Sequence, residues 1–162
     1  MRYACFGMVF AAILLAGCAG GSDSTRPPAL VGFMERSQLP PVFQTVYDTT
    51  QVQTDFIDLI RAAGAGVETK VFLGTWCPDS HRDVPRFLRV IDLAGSPLGP
   101  VTLYGLDRTM KSPGGEEGSY AIERVPTFVF LRQGREIGRI VETAQTSIEG
   151  DMLTILASWM NQ

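Results

Sequence analysis

Three cysteines and one histidine are the side chains of this sequence best suited to nucleophilic or metal chemistry: Cys5, Cys18, Cys77 and His81. A lone histidine excludes a histidine-rich metal site and any proton pathway needing two imidazoles. One thiol beside one histidine is too small a donor set for a closed tetrahedral centre, so no metal and no other cofactor is expected. Cys77 stands in the run Trp76-Cys77-Pro78-Asp79-Ser80-His81. A cysteine at the start of a helix faces unpaired backbone N–H groups and the positive end of the helix dipole, which favours thiolate. Pro78 suits the first helical position, where a missing N–H is no loss. The Asp79 carboxylate works against the thiolate. Ser80 has two roles open to it: donating to the Cys77 sulfur, or satisfying a backbone N–H. His81 reads first as a solvent-facing side chain and second as a cation that steadies a thiolate.

These residues need elements to hold them. Val71 to Leu73 is a short apolar run of the kind found in a central buried strand. After Cys77, the spacing of Val84, Phe87, Leu88 and Ile91 predicts a helix with one buried face. Upstream, Phe43 to Tyr47 reads as a short strand. A helix is expected after the Asp48-Thr49-Thr50 capping cluster, with Val52, Phe56, Leu59, Ile60 and Ala63 inward and Gly64 and Gly66 ending it. Val101 to Leu106 is a further apolar strand, and Lys111 to Gly118 reads as a loop in which Glu116 and Glu117 are solvated. Asp107-Arg108 reads as a solvated turn. Thr127 to Leu131 and Glu136 to Val141 flank a tight turn and predict an antiparallel hairpin. A last helix is expected from Thr146, capped by Glu149, with Ile148, Met152, Ile155, Leu156 and Trp159 inward. The order predicts a mixed sheet in an α/β fold, with helices on both faces.

With strand, turn and helix in place, Trp76-Cys77-Pro78-Asp79-Ser80 resembles the active-site turn of the thioredoxin superfamily, whose motif is Trp-Cys-x-x-Cys. Pro85, eight residues after Cys77, matches the proline that kinks the active-site helix of that family. Val125-Pro126-Thr127 resembles its cis-proline loop. The resemblance covers roughly residues 40–160. It implies a thioredoxin fold, with Cys77 as nucleophile and Ser80 as its catalytic neighbour. It further implies that Trp76, Pro78, Val125, Pro126 and Thr127 contact a thiol or disulfide substrate. Two departures limit the chemistry. Ser80 occupies the place of the second cysteine, and Val71 occupies the place of the buried aspartate that serves it. A hydroxyl cannot close a disulfide, so a second thiol from outside must release any mixed disulfide formed at Cys77. The alternative is a non-catalytic peptide-binding or chaperone-like module. Iron–sulfur ligation of the monothiol glutaredoxin kind fits less well, since Pro78 stands where those proteins have glycine.

At the N-terminus, Arg2 precedes an apolar run from Ala4 to Leu15, the length of a signal-peptide core and short for a membrane span. Leu15-Ala16-Gly17-Cys18 resembles the bacterial lipoprotein box. That resemblance implies a lipid on Cys18 and cleavage before it. Residues 1–17 would then be a signal peptide, 18–39 a lipidated tether and 40–162 the folded domain. The Gly-, Ser-, Thr- and Pro-rich stretch from Gly20 to Ala29 fits a tether. The expected place is the cell envelope, anchored through Cys18 and facing the periplasm. Ala19 favours the outer over the inner membrane. The chain has 162 residues, 45% of them hydrophobic, and a net charge of −3. This composition suits one globular domain and offers no basic field for nucleic acid.

Overall fold

The computed structural model describes residues 28–95 and 99–160. Cys18 and the signal-peptide reading therefore lie outside the described residues. The elements are β1 (Gly32–Met34), α1 (Pro41–Thr49), α2 (Ile57–Ala63), β2 (Val67–Leu73), α3 (Pro78–Ala94), β3 (Val101–Gly105), α4 (Glu116–Ser119), β4 (Thr127–Arg132), β5 (Arg135–Val141) and α5 (Ile148–Met160). The strands form one sheet in the order β1-β3-β2-β4-β5. Only β2 and β3 run parallel, joined by the α3 crossover. The other neighbours are antiparallel.

Side-chain alternation splits the sheet into two unlike faces. Val71, Leu73, Leu103, Phe128, Phe130 and Ile140 meet α1, α2, α3 and α5 in the main core. Phe87 of α3 sits 4.9 Å from Phe128, ring centre to ring centre. On the other face, Phe72, Val129 and Leu131 are covered by Leu106, Ile122 and Val125, together with Cys77. Leu106 and Met110 after β3 and the segment that follows α4 supply this cover, with Tyr120 packed against Phe72. The four longer helices thus pack in the main core, and the other face is covered by the connecting segments on either side of α4.

The expected strand Phe43–Tyr47 is instead part of helix α1. Pro41 opens the helix, and the inward positions Phe43, Val46, Tyr47 and Thr50 follow helical spacing rather than alternation. The Asp48-Thr49-Thr50 cluster closes α1 instead of starting the next helix, since the Thr49 and Thr50 hydroxyls donate back to the carbonyls of Thr45 and Val46. The next helix begins as a tight turn over Thr54–Phe56. Leu59, expected inward, is 54% exposed. Strand β1 was not among the expected elements. At three residues it is too short to show a period.

Two expectations about glutamates also change. Ser147, not Glu149, caps α5, its hydroxyl accepting from the Gly150 N–H at 3.0 Å. Glu149 is buried and accepts instead from the Gln53 N–H, which ties α5 to the start of α2. Glu117 is not solvated: it is 4% exposed and accepts from both the N–H and the hydroxyl of Ser112. The Ser112 hydroxyl holds its carboxyl below the usual carboxylate range. The hairpin β4–β5 turns at Gln133 and Gly134, both with positive φ, which matches the twist of the strands.

Candidate active site at the start of helix α3

Strand β2 ends at Leu73 and α3 begins at Pro78, leaving four residues to make the turn. Cys77 is the N-cap of α3, in extended conformation, with its carbonyl accepting from the His81 N–H at 3.1 Å. Its own N–H donates to the Gly74 carbonyl at 2.9 Å. The Cys77 thiol donates to the Val125 carbonyl at 3.4 Å. That carbonyl belongs to the Val125–Pro126 peptide, which is cis. The thiol is free and 7% exposed.

The residues singled out from the sequence fall into two groups. Cys77, Val125 and Pro126 come together around the sulfur, with Trp76 and Pro78 on either side of it in the chain. Ser80 and Thr127 turn away to structural tasks. Ser80 is fully buried, and its hydroxyl accepts from the Gly74 N–H at 3.1 Å. Thr127 donates to the Arg124 carbonyl at 2.7 Å. His81 is half-buried rather than solvent-facing. Its Nε2 lies 2.7 Å from the Thr75 carbonyl, so it must donate there, and the ring stands edge-on to Phe43. This holds the imidazole against the turn instead of the sulfur.

Asp79, expected to oppose a thiolate, is paired with Arg82 at 2.7 Å. The same guanidinium grips the buried Asp83 through two of its nitrogens. Hydrogen bonding to Asp83 raises the Arg82 pKa against the effect of burial, so this cation is permanent. The first turn of α3 thus carries a charge network of its own beside the thiol.

Trp76 folds back over the turn. Its indole N–H donates to the Leu106 carbonyl at 2.9 Å, and Arg108 lies 5.0 Å above the ring. Position 74 must be glycine for this, since a Cβ there would come within 2.8 Å of the indole. Arg108, read from the sequence as part of a solvated turn, is therefore at the rim of the site. Thr75 was missed altogether. Its hydroxyl accepts from the Leu30 N–H at 3.1 Å, fastening the segment before β1 to the turn. No local sequence signal joins residues 30 and 75; only the β1–β3 pairing brings them together.

Among the described residues, no group of three His, Cys, Asp or Glu side chains could hold a metal ion. No described helix is long and apolar enough to cross a membrane.

No family model and no curated protein matches the chain. Solved structures do. A Pseudomonas aeruginosa protein of unknown function overlays with a TM-score of 0.56 at 14% identity, covering 74% of this chain and 84% of that one. An HIV epitope scaffold gives a TM-score of 0.56 at 16% identity over 73% and 84%. Thioredoxin 2 of P. aeruginosa, in its reduced form, gives a TM-score of 0.42 at 23% identity over 64% and 89%. Likeness at these identities concerns the fold. The parallel β2-α3-β3 unit at the centre, the β4–β5 hairpin and the closing helix α5 make that fold a thioredoxin-like α/β fold.

Proposed function

We propose that this chain is an envelope-anchored thiol–disulfide oxidoreductase of thioredoxin type that acts through one cysteine and needs an external thiol to complete its cycle. The observation that carries the reading is the seat of Cys77. The sulfur sits at the N-cap of α3 and points at the carbonyl beside the cis Val125–Pro126 bond.

In the first step the Cys77 thiolate attacks one sulfur of a substrate disulfide. The Cys77–substrate bond forms, the old S–S bond breaks, and the departing thiolate takes a proton. No second thiol stands at position 80 to reverse this from within. An external thiolate must attack the substrate sulfur of the mixed disulfide, which releases Cys77 as thiolate and leaves the external sulfur bonded to the substrate. Ser80 holds the turn in this scheme and does not touch the reacting atoms.

The test is a covalent trap. Purified protein mixed with a peptide disulfide is expected to gain the mass of one half-peptide, and to lose it on adding a small thiol. Cys77→Ala is expected to show no adduct. Absence of an adduct from the wild type sinks the oxidoreductase reading and favours the second one, a peptide-binding module. The deep seat of the thiol, 7% exposed, is the observation on that side.

Anchoring rests on Leu15-Ala16-Gly17-Cys18 and the apolar run before it. The full chain expressed in bacteria is expected to incorporate labelled palmitate, and Cys18→Ser to abolish the label. Unchanged labelling in that variant would refute the anchor.

A further inference from the structure

A cleft of about 350 Å³ opens beside Trp76, on a side of the turn that the cis-proline loop does not line. Its walls are Pro28 and Leu30 of the segment before β1, Pro40 and Val42 at the start of α1, and Trp76 and His81 of the turn, with Arg108 at the rim. Leu30 and Val42 remain 38% and 40% exposed there. Its place is set by two features already described: the Leu30–Thr75 hydrogen bond and the Trp76–Leu106 hydrogen bond. The apolar part is of a size for one or two side chains, at the small end of ligand sites.

The rim is cationic in a chain whose net charge is −3. Arg108 has the Trp76 ring as its neighbour, and no ion pair with a carboxylate involves it among the described residues. Asp107 beside Arg108 and Asp79 near His81, acids close to the rim residues in sequence, are committed elsewhere. Asp107 accepts from Thr109 and from the Lys111 N–H, and Asp79 is paired with Arg82.

A substrate disulfide brought to Cys77 carries its flanking chain with it. The Val125–Pro126 peptide meets the sulfur on one side, where the resemblance has substrate backbone bind, and the chain on the other side of the attacked cysteine then runs past Trp76, which lines the cleft. We infer that this cleft is the specificity subsite for the polypeptide substrate, taking an apolar side chain next to the attacked cysteine with a carboxylate beside it on Arg108. The inference rests on the thiol-exchange reading above and adds the substrate class to it. It also makes the segment before β1, outside the 40–162 domain expected from the sequence, part of the binding site.

The test uses the full chain and two peptides activated as mixed disulfides with 2-nitro-5-thiobenzoate. Each has leucine next to the cysteine and then either aspartate or lysine. Release of the coloured thiolate reports attack by Cys77. The wild type is expected to react about threefold or more faster with the aspartate peptide, the scale of one solvent-exposed ion pair. Arg108→Glu is expected to invert the ratio, a result that a misfolded variant cannot give. Val42→Asp is expected to slow both leucine peptides to the rate of a glycine analogue. Equal rates for the two charged peptides, in wild type and Arg108→Glu alike, overturn the subsite alone. No release from the wild type with either peptide overturns the exchange reading and the subsite with it. Arg108-dependent release of a preformed adduct by mercaptoacetate over 2-mercaptoethanol, without any effect on adduct formation, gives the cleft to the resolving thiol and also overturns the proposal.

Discussion

Gly105→Ala is expected to lower the unfolding free energy by about 3 kcal/mol, at the upper end of ordinary overpacking. Gly105 closes β3 and pairs with Gly32 on one side and Leu73 on the other. A Cβ at this position would run into the Leu30 carbonyl oxygen and the Met34 Cε. The methionine can swing aside, but the carbonyl belongs to backbone held by the β1–β3 ladder and by the Leu30–Thr75 bond. The segment before β1 must therefore move off the end of β3. Urea denaturation is expected to show a lower midpoint with its slope kept. An unchanged midpoint would mean that the segment is not held across β3.

Ser80→Ala is expected to cost about 1–3 kcal/mol, the penalty of a buried N–H left without its partner. The Ser80 hydroxyl is the acceptor for the Gly74 N–H, and Gly74 begins the turn that carries Trp76 and Cys77. Removing one oxygen leaves that donor facing apolar surroundings, and no surface rearrangement reaches it. The same urea experiment reads the loss. A variant as stable as the wild type would show that the hydroxyl does not support the turn, and would return Ser80 to consideration as a partner of the sulfur.

Much of this arrangement was legible in the sequence because the relevant patterns are long. Helix α3 shows its buried face over four turns, and Pro78 and Pro85 mark its start and its interior. The hairpin declares itself by a two-residue turn between apolar strands. Where the pattern is short, two readings compete. The residues Phe43 to Tyr47 hold three apolar side chains in five positions, and neither strand nor helix period can be decided over that length. Burial decided it: Phe43 is in the core and Tyr47 packs against it, one helical turn apart.

The site was legible in a similar, partial way. Trp76, Cys77 and the Val125–Pro126 pair are close in space because motif and topology agree. His81 and Glu117 were misplaced because a polar side chain's burial depends on a partner that the sequence pattern does not name. For His81 that partner is a carbonyl six residues back, and for Glu117 it is the N–H and hydroxyl of Ser112. The Leu30–Thr75 contact spans 45 positions and follows from strand pairing alone. Arg108 needed the indole of Trp76 to be folded back over Gly74, a consequence of one hydrogen bond to the Leu106 carbonyl and a missing Cβ.

The unequal cover of the two sheet faces has a kinetic side. Cys77 packs with Leu106, Ile122 and Val125 on the thinly covered face, apart from the core that α1, α2, α3 and α5 build. A protein opens in patches, and a patch held by few apolar contacts opens at lower cost than the whole. The layer formed by the stretch between Leu106 and Val125 is such a patch. Its breathing would bare the sulfur while the helical layer stayed shut. Under the single-cysteine reading proposed above, the rate at which the sulfur meets a partner is then set by this local fluctuation and not by global stability.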